Sequence, residues 1–200
     1  MPQILAIHGS PRRQGNTSTL LRQAVEGARS AGASVEEVTL RDLRISPCLE
    51  IYACKKDGLC AIQDDFQGLR DKLLACQGLM LASPMFFYTV SAHVKALMDR
   101  CQSLWVKKYW IDKVPFGQGP LTRKGLFISV GATRGARLFD GALLTVKYFM
   151  DTLDMELWQS LLFRGLDFQG DVQEHPDHLD QARRAGSGLA LALAERAGGH

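Results

Sequence analysis

Residues that could bind a phosphate are concentrated in one short stretch, Gly9 to Ser18, which lies between an apolar run and a segment with helical spacing. The first backbone N–H groups of a helix lack intrahelical partners, and the helix dipole places partial positive charge there. The stretch also offers hydroxyl, amide and guanidinium donors. These are on Ser10, Arg12, Asn16, Thr17 and Ser18. We therefore predict that this stretch binds a phosphate group.

The spacing of the glycines indicates which kind of phosphate ligand the stretch suits. Five residues separate Gly9 from Gly15, and Asn16 stands where a nucleoside-triphosphate loop has lysine. The dinucleotide fingerprint Gly-x-Gly-x-x-Gly is also absent. A loop that holds a terminal phosphate with amides and hydroxyls suits a mononucleotide such as FMN. The alternative is a plain turn in which Asn16 or Thr17 caps the following helix.

A second stretch, from Ser83 to Thr89, places apolar and aromatic side chains directly after a short apolar run. A flat tricyclic ring needs apolar faces to lie against and a few backbone amides for its polar edge. We predict that this stretch lines the ring of the cofactor. The residues concerned are Pro84, Met85, Phe86, Phe87 and Tyr88. The alternative is that the phenylalanines only close the end of the sheet as core residues.

A third stretch begins at Gly131 and continues through Ala132, Thr133 and Arg134. Its small residues let the backbone approach a ligand closely. Backbone N–H groups and the guanidinium of Arg134 could stabilise the negative charge of a reduced flavin. The alternative is a surface turn with a solvated arginine.

The elements that position these three stretches follow from hydrophobic spacing. We predict strands at 4–7, 34–40, 79–82, 126–130 and 155–163. Helices are predicted from about 16 to 32 and at 66–76, 90–105, 138–153 and 175–197, with 41–65 irregular and 107–124 a connection. Strand and helix alternate five times, which predicts an α/β fold with a doubly wound parallel sheet covered by helices on both faces. In such sheets ligands bind at the carboxyl ends of the strands, where all three stretches lie.

Composition restricts the class of protein. A length of 200 residues fits one domain over 1–200, with a cysteine-containing loop at about 44–65. The net charge of +3 is too small for a nucleic-acid-binding surface, so we expect no nucleic-acid partner. We also predict no membrane association, because no apolar run reaches the length of a span. Five cysteines without a signal peptide favour reduced thiols and a cytoplasmic location.

The motifs together resemble a known family. Three segments are similar to the NADPH-dependent FMN reductase-like flavoproteins, with most similarity to their iron-sulfur flavoprotein branch. They are Gly9 to Thr17, Ser83 to Lys95 with Asp99 and Arg100, and the loop from Cys48 to Asp65. The resemblance covers about the first 135 residues. It implies a flavodoxin-like fold, bound FMN, and homodimers or homotetramers with interfaces near the flavin. Carried over by position, the first stretch would hold the phosphate and the other two would approach the ring.

The chain departs from the iron-sulfur branch in its cysteines. Cys48, Cys54 and Cys60 match three ligands of the branch, but Ile51 stands where a fourth cysteine belongs. Because a four-iron cluster normally takes four thiolates, we expect these residues to be free thiols rather than iron-sulfur ligands. The alternative is a cluster that a non-protein ligand or Cys76 completes. Zinc is disfavoured by the same shortage of ligands. We predict no metal site elsewhere in the sequence.

These observations predict an FMN-dependent oxidoreductase that accepts a hydride from NAD(P)H. No side chain is assigned an acid or base role, because the flavin carries the chemistry. The electrons would pass to a small molecule (a flavin, a quinone or a metal ion) or to a protein acceptor. One alternative is an FMN electron-transfer protein without productive NAD(P)H oxidation. Another is a relic of the fold that binds no cofactor.

Overall fold

Five parallel strands form the centre of the computed structural model, which describes residues 1–119 and 121–198. The strands are β1 (Gln3–His8), β2 (Ser34–Thr39), β3 (Gly78–Pro84), β4 (Arg123–Gly131) and β5 (Met155–Arg164). Their order in the sheet is β2-β1-β3-β4-β5, and every neighbouring pair is parallel. This is the flavodoxin-like order, which confirms the predicted fold class.

Helices connect the strands and cover both faces of the sheet. They are α1 (Asn16–Ser30), α2 (Cys54–Asp57), α3 (Phe66–Ala75), α4 (Ala92–Arg100), α5 (Gln102–Val106), α6 (Asp140–Thr152) and α7 (Pro176–Gly198). Two short 3-10 turns, Leu40–Asp42 and Asp171–Glu174, and a π-helical turn, Lys107–Ile111, complete the regular structure. Among the described residues, no helix is both long and apolar enough to cross a membrane.

Alternate residues of the central strands enter two separate cores, because successive side chains of a strand point to opposite faces. Ile4, Ala6 and Met80 pack with α1 and α7 on one face. Leu5, Ile7, Leu79, Leu81 and Phe127 pack with α3, α4 and α6 on the other. The buried parts of the central strands β1, β3 and β4 are mostly apolar for this reason, as expected for a parallel sheet covered on both sides. Because all neighbouring strands are parallel, their carboxyl ends lie at one edge of the sheet.

The structure corrects the sequence prediction in two places. The four-residue α2 lies in the stretch 41–65 that was predicted to be irregular. The helix predicted at 90–105 begins at Ala92, breaks at Cys101 and continues through the π-helical turn into the stretch predicted as a connection. Lys108 and Tyr109 hold this turn against the end of α6 and the residues after it, because Lys108 pairs with Asp154 at 2.8 Å and Tyr109 donates to Asp151 in α6. These partners are distant in sequence, so spacing alone does not reveal them.

Candidate functional site

A cleft of about 160 Å³ lies at the carboxyl ends of β1, β3 and β4. The three stretches singled out in the sequence meet there. Its lining includes the predicted residues Ser10, Arg12, Asn16, Thr17, Pro84, Met85, Phe86 and Ala132. Residues that the sequence prediction missed also line it, namely Pro11, Gly15, Val130, Leu166 and Asp167.

The start of α1 forms one end of the cleft and has the features of an anion site. Gly15 occupies the N-cap position, and no side chain caps the helix. The loop before it folds back on itself, because Gly15 N–H donates to the Arg12 carbonyl at 3.1 Å and Arg12 N–H donates to Ser10 Oγ at 3.1 Å. A Cβ on Gly15 would lie 3.0 Å from Ser10 Oγ and 3.3 Å from the Arg12 carbonyl, so a larger residue would push these groups away. The first N–H groups of α1 are thus available to an anion.

Asn16 and Ser18 also have structural roles that spacing did not show. The Asn16 amide donates to the Phe168 carbonyl at 2.8 Å and accepts from the N–H groups of Gly170 and Val172 at 3.1 and 3.4 Å. The Ser18 hydroxyl donates to the Arg12 carbonyl at 3.2 Å. Asn16 therefore fastens the loop after β5 to the phosphate end of the cleft.

That loop supplies Leu166 and Asp167, which the sequence prediction missed. A signal for them was available, because the loop follows the last parallel strand and so leaves the same edge of the sheet as the other three. The sequence contains no cluster of donors there, and the prediction did not include it. Gly165 N–H donates to the Gly131 carbonyl at 2.8 Å, which joins this loop to the one after β4.

The loop after β3 turns sharply at its aromatic residues. Met85 N–H donates to the Val130 carbonyl at 2.9 Å, and Phe86 and Thr89 exchange backbone hydrogen bonds of 3.0 and 3.1 Å. Phe87 and Tyr88 adopt the left-handed region, with φ of 49° and 61°, which is uncommon for residues other than glycine. As a result Phe86 lines the cleft, while Phe87 is fully exposed and Tyr88 is 58% exposed.

Residues of the loop after β4 lie partly in the cleft and partly on the surface. Gly131 is buried and Ala132 lines the cleft, whereas Thr133 and Arg134 are exposed. A Cβ on Gly165 would lie 2.7 Å from a guanidinium nitrogen of Arg134, so this side chain packs against the loop after β5. In this single chain, Phe87, Tyr88, Thr133 and Arg134 therefore do not line the cleft into which the sequence prediction placed them. The predicted residues Ser18 and Gly131 are buried and are not part of its lining either.

Three buried serines join the loops at the base of the site. Ser91 Oγ donates to the Gly9 carbonyl at 2.6 Å, and Ser91 N–H donates to Ser83 Oγ at 2.9 Å. Ser129 Oγ donates to the Ser83 carbonyl at 2.8 Å. All three serines are at most 1% exposed. Buried polar groups that are fully hydrogen-bonded fix their surroundings, so the loops are held in a defined arrangement before a ligand binds.

Cys48, Cys54 and Cys60 line a different and larger cavity of about 580 Å³, next to α4, α5 and the π-helical turn. Burial raises the pKa of the Cys54 thiol, and the nearby Cys60 and Cys48 raise it further. The other two cysteines are buried as protonated thiols, because burial raises the pKa of Cys76 to about 11 and that of Cys101 to about 12. Cys76 precedes β3 and so lies at the opposite edge of the sheet.

The sequence also matches a protein-family model over most of its length. Residues 2–159 match the family described as NADPH-dependent FMN reductase. The chain belongs to this family. Family membership supports FMN as the cofactor and oxidoreduction as the class of activity. The cleft at the start of α1 lies where a flavodoxin-like fold binds such a ligand.

Individual relatives of the FMN reductase family agree with this assignment. An iron-sulfur flavoprotein of Methanocaldococcus jannaschii is 35% identical over 132 residues, which are 66% of this chain and 63% of that protein. An FMN-dependent NADH:quinone oxidoreductase of Pseudomonas fluorescens is 27% identical over 139 residues, covering 64% of this chain and 69% of the relative. The solved NAD(P)H:quinone oxidoreductase from Methanothermobacter marburgensis has the same fold, with a TM-score of 0.67 and 18% identity over 94% of each chain.

Proposed function

We propose that this protein binds FMN in the cleft and catalyses the transfer of electrons from NAD(P)H to a small-molecule or protein acceptor. One observation supports this most strongly: the loops after β1, β3 and β4 converge on the uncapped start of α1. When bound, the flavin accepts a hydride and passes the electrons on, so the protein supplies binding, orientation and charge.

Each part of the site has a separate task in this proposal. The N–H groups at the start of α1 and the hydroxyls of Ser10 and Thr17 hold the phosphate, and Arg12 adds positive charge. Met85 and Phe86 lie against the ring. The cleft of about 160 Å³ is smaller than an ordinary pocket for a whole ligand, which is about 300–1,000 Å³. The cleft therefore has room for the phosphate end of FMN, and the ring lies over the exposed aromatic loop.

An exposed ring leaves room for the nicotinamide donor. Without a dinucleotide fingerprint the chain holds NAD(P)H only transiently, against the open face of the flavin. Arg134, at the exposed edge of the loop after β4, offers a positive charge for the reduced flavin or for the phosphates of the donor.

A homo-oligomer is part of the proposal, because apolar side chains are exposed beside the ring loop. We call Phe87, Tyr88, Leu144 and Tyr148 the aromatic patch; each is at least 57% exposed. They are adjacent, since a Cβ on Gly141 would lie 2.7 Å from the Tyr88 carbonyl, and Leu144 and Tyr148 follow on the same face of α6. A second copy of the chain would cover this patch and enclose the ring.

An electron-transfer protein is the second candidate function. Relatives named iron-sulfur flavoproteins and the three-cysteine cavity favour it. In this version FMN exchanges electrons with protein partners, and NAD(P)H is not oxidised productively.

An anaerobic reduction experiment separates these functions. Purified protein is reconstituted with FMN, and the flavin absorbance is followed after NADPH, NADH or dithionite is added without oxygen. Bleaching by a nicotinamide within seconds to minutes supports the oxidoreductase. Bleaching by dithionite alone supports the electron-transfer protein, and failure to bind FMN overturns both.

A matched pair of charge changes tests the phosphate end. Arg12→Glu places a negative charge in the cleft, and we expect FMN affinity to fall at least tenfold. Arg183→Glu makes the same change on the exposed surface of α7 and should leave FMN affinity unchanged. Equal affinity of the two variants would contradict the proposed phosphate position.

A further inference from the structure

Two histidines and an aspartate meet at the start of α7, where the loop after β5 ends. They are His175, Asp177 and His178, and each offers one possible ligand atom; the three atoms all lie within 4.8 Å of one another. No other group of this kind occurs among the residues that the structure describes. Imidazole nitrogens together with a carboxylate oxygen suit zinc and related divalent transition metals, whereas magnesium and calcium prefer oxygen ligands alone.

The first turn of α7 brings the three side chains together. Pro176 begins the helix, and the His178 N–H donates to the His175 carbonyl at 3.0 Å, which closes the turn. Residues three apart lie on the same side of a helical turn. The rings of His175 and His178 therefore stack, with centroids 4.7 Å apart and planes at 23°. Asp177 lies between them in sequence, and its Oδ2 is 3.6 Å from His178 Nε2.

These distances are close to those of an occupied metal site. Zinc binds nitrogen and oxygen at about 2.0–2.2 Å, so two ligand atoms on one tetrahedral zinc lie about 3.4 Å apart. The separation of 3.6 Å between His178 and Asp177 is close to this value. His175 and Asp177 are exposed, so rotation of their side chains can close the remaining distance. A water molecule would complete a set of four ligands.

The ring of His178 provides a second, independent observation. It packs against Phe163 with centroids 4.4 Å apart, and its side chain is only 21% exposed. Its Nδ1 is buried and has no hydrogen-bond partner in the described part of the chain. Its Nε2, at 3.6 Å from the Asp177 carboxylate, is too far away for a hydrogen bond to that group. The imidazole therefore keeps a lone pair available for a metal ion.

Asp177 supplies the negative charge that a cation needs at this position. The start of a helix carries partial positive charge, which opposes a bound cation. The Asp177 carboxylate lies in the first turn of α7 and offsets this charge. The next acid along the helix, Asp180, pairs with Arg184 instead. The sequence prediction included no metal site here, because acidic residues are ordinary in a first helical turn; the stacked rings and the unpartnered nitrogen are what the structure adds.

We propose that His175, Asp177 and His178 bind one divalent transition-metal ion of the zinc class, and that this ion fixes the end of the loop after β5. Asn16 already holds the middle of that loop through Phe168, Gly170 and Val172. A metal ion at His175 fastens its end to the first turn of α7. The site is separate from the FMN cleft, so its failure would leave the proposed function intact.

Zinc titration tests the three ligands. Zn²⁺ is added to the full chain and the heat of binding is measured. We expect affinity for one ion per chain to fall at least about tenfold in His175→Gln and in Asp177→Asn. His93→Gln and Asp180→Asn make the same changes at exposed positions outside the site and should keep wild-type affinity. Equal affinity in all four variants, or a wild type that binds no zinc, would overturn the proposal.

Cobalt distinguishes this site from the cysteines. Co²⁺ substitutes for zinc, and thiolate ligands give it strong charge-transfer absorption, whereas nitrogen and oxygen ligands give only weak visible bands. In difference spectra against metal-free protein, we expect weak bands that are present in wild type and Cys54→Ser and absent from His175→Gln. A cobalt spectrum that is unchanged in His175→Gln and lost in Cys54→Ser would show that the thiols bind the ion, and the site at α7 would be rejected.

Hydrogen exchange tests the effect of the ion on the loop. The His175 N–H donates to the Val172 carbonyl at 3.2 Å, so holding His175 in place also protects the turn before it. Zinc should slow exchange of the amides from 171 to 179 several-fold in the wild type and leave it unchanged in His175→Gln. Wild-type protein that binds zinc without any slowing of exchange would contradict the role of the ion in fixing the loop.

Discussion

Gly15 is the residue on which the shape of the phosphate loop depends. It lies between the turn at Arg12 and the first residue of α1, and a Cβ there would contact Ser10 Oγ at 3.0 Å and the Arg12 side chain and carbonyl at 3.3 Å. The loop has little freedom to yield, because Ser10 and Arg12 are bonded to each other.

Gly15→Ala should therefore weaken FMN binding about tenfold, which corresponds to about 1.4 kcal/mol. The measurement is fluorescence titration of FMN. Gly68→Ala is the control, because a Cβ at this exposed site in α3 meets nothing within 4 Å. We expect the control to keep wild-type affinity and to gain about 0.5–1 kcal/mol of stability. Wild-type affinity in Gly15→Ala would show that the phosphate binds elsewhere.

Asp64 and Arg100 form a buried ion pair that joins the cysteine loop to α4. Burial acts to raise the pKa of Asp64, but hydrogen bonds from Arg100 and from the N–H groups of Ser46 and Phe66 outweigh it and hold the pKa below its ordinary value of 3.8. A depressed carboxyl pKa contributes stability above the unfolded-state pKa, and this is lost as the pH falls through the native-state pKa.

Asp64→Asn should lower the free energy of unfolding by about 3 kcal/mol near neutral pH, because it leaves the buried Arg100 charge without a carboxylate. The difference from wild type should shrink as the pH falls below about 4, where Asp64 becomes protonated first in the unfolded chain, and should be lost once the pH passes below the depressed native pKa. Urea unfolding at a series of pH values measures this. Asp180→Asn, which removes an exposed pair with Arg184, should cost less than about 1 kcal/mol. If the stability difference between Asp64→Asn and wild type did not change with pH, Asp64 would not have the depressed pKa described here.

The loop after β5 is an element whose position depends on one side chain. Asn16 makes three hydrogen bonds to its backbone, and the loop in turn places Leu166 and Asp167 in the cleft. Local opening of such a loop is limited mainly by these bonds, because most of its residues are exposed or half-buried.

Asn16→Ala should increase hydrogen exchange at the Gly170 and Val172 amides and weaken FMN binding several-fold. The physical reason is that two backbone donors and one acceptor lose their partners. Each buried polar group without a partner destabilises the loop by about 1–3 kcal/mol. Gln173→Ala, at an exposed position of the same loop, is the control. Unchanged exchange in Asn16→Ala would show that other contacts hold the loop.

At the scale of the whole molecule, the aromatic patch is the feature that a single chain leaves unexplained. Phe87 is fully exposed although its backbone adopts an uncommon conformation, and Tyr88, Leu144 and Tyr148 are more than half exposed beside it. Contiguous exposed apolar residues of this kind mark interaction surfaces.

Tyr148→Glu combined with Leu144→Glu should dissociate the proposed homo-oligomer, because it would place two charges in an apolar interface. Sedimentation velocity measures the change in mass. Leu191→Glu, at an exposed apolar position on α7, should leave the mass unchanged. A double variant with the mass of the wild type would place the interface elsewhere.

The sequence by itself determined the order of strands and helices, the parallel sheet and the edge at which the three loops meet. These features follow from local spacing. Apolar runs indicate the buried strands, and Leu20, Leu21 and Ala24 indicate the apolar face of α1. Parallel strands then bring their carboxyl ends together at one edge. The resemblance of the loops to a known family was also local, and the match over residues 2–159 confirms it.

Only the tertiary structure decided which side chains line the cleft and which hold the loops. Asn16 meets Phe168, which is 152 residues away, and Arg100 meets Ser46, which is 54 away. Phe87 and Tyr88 turn outward because Phe86 and Thr89 close a tight turn. Packing brings such partners together, and hydrogen bonds with a distant residue leave no periodic signal in the sequence.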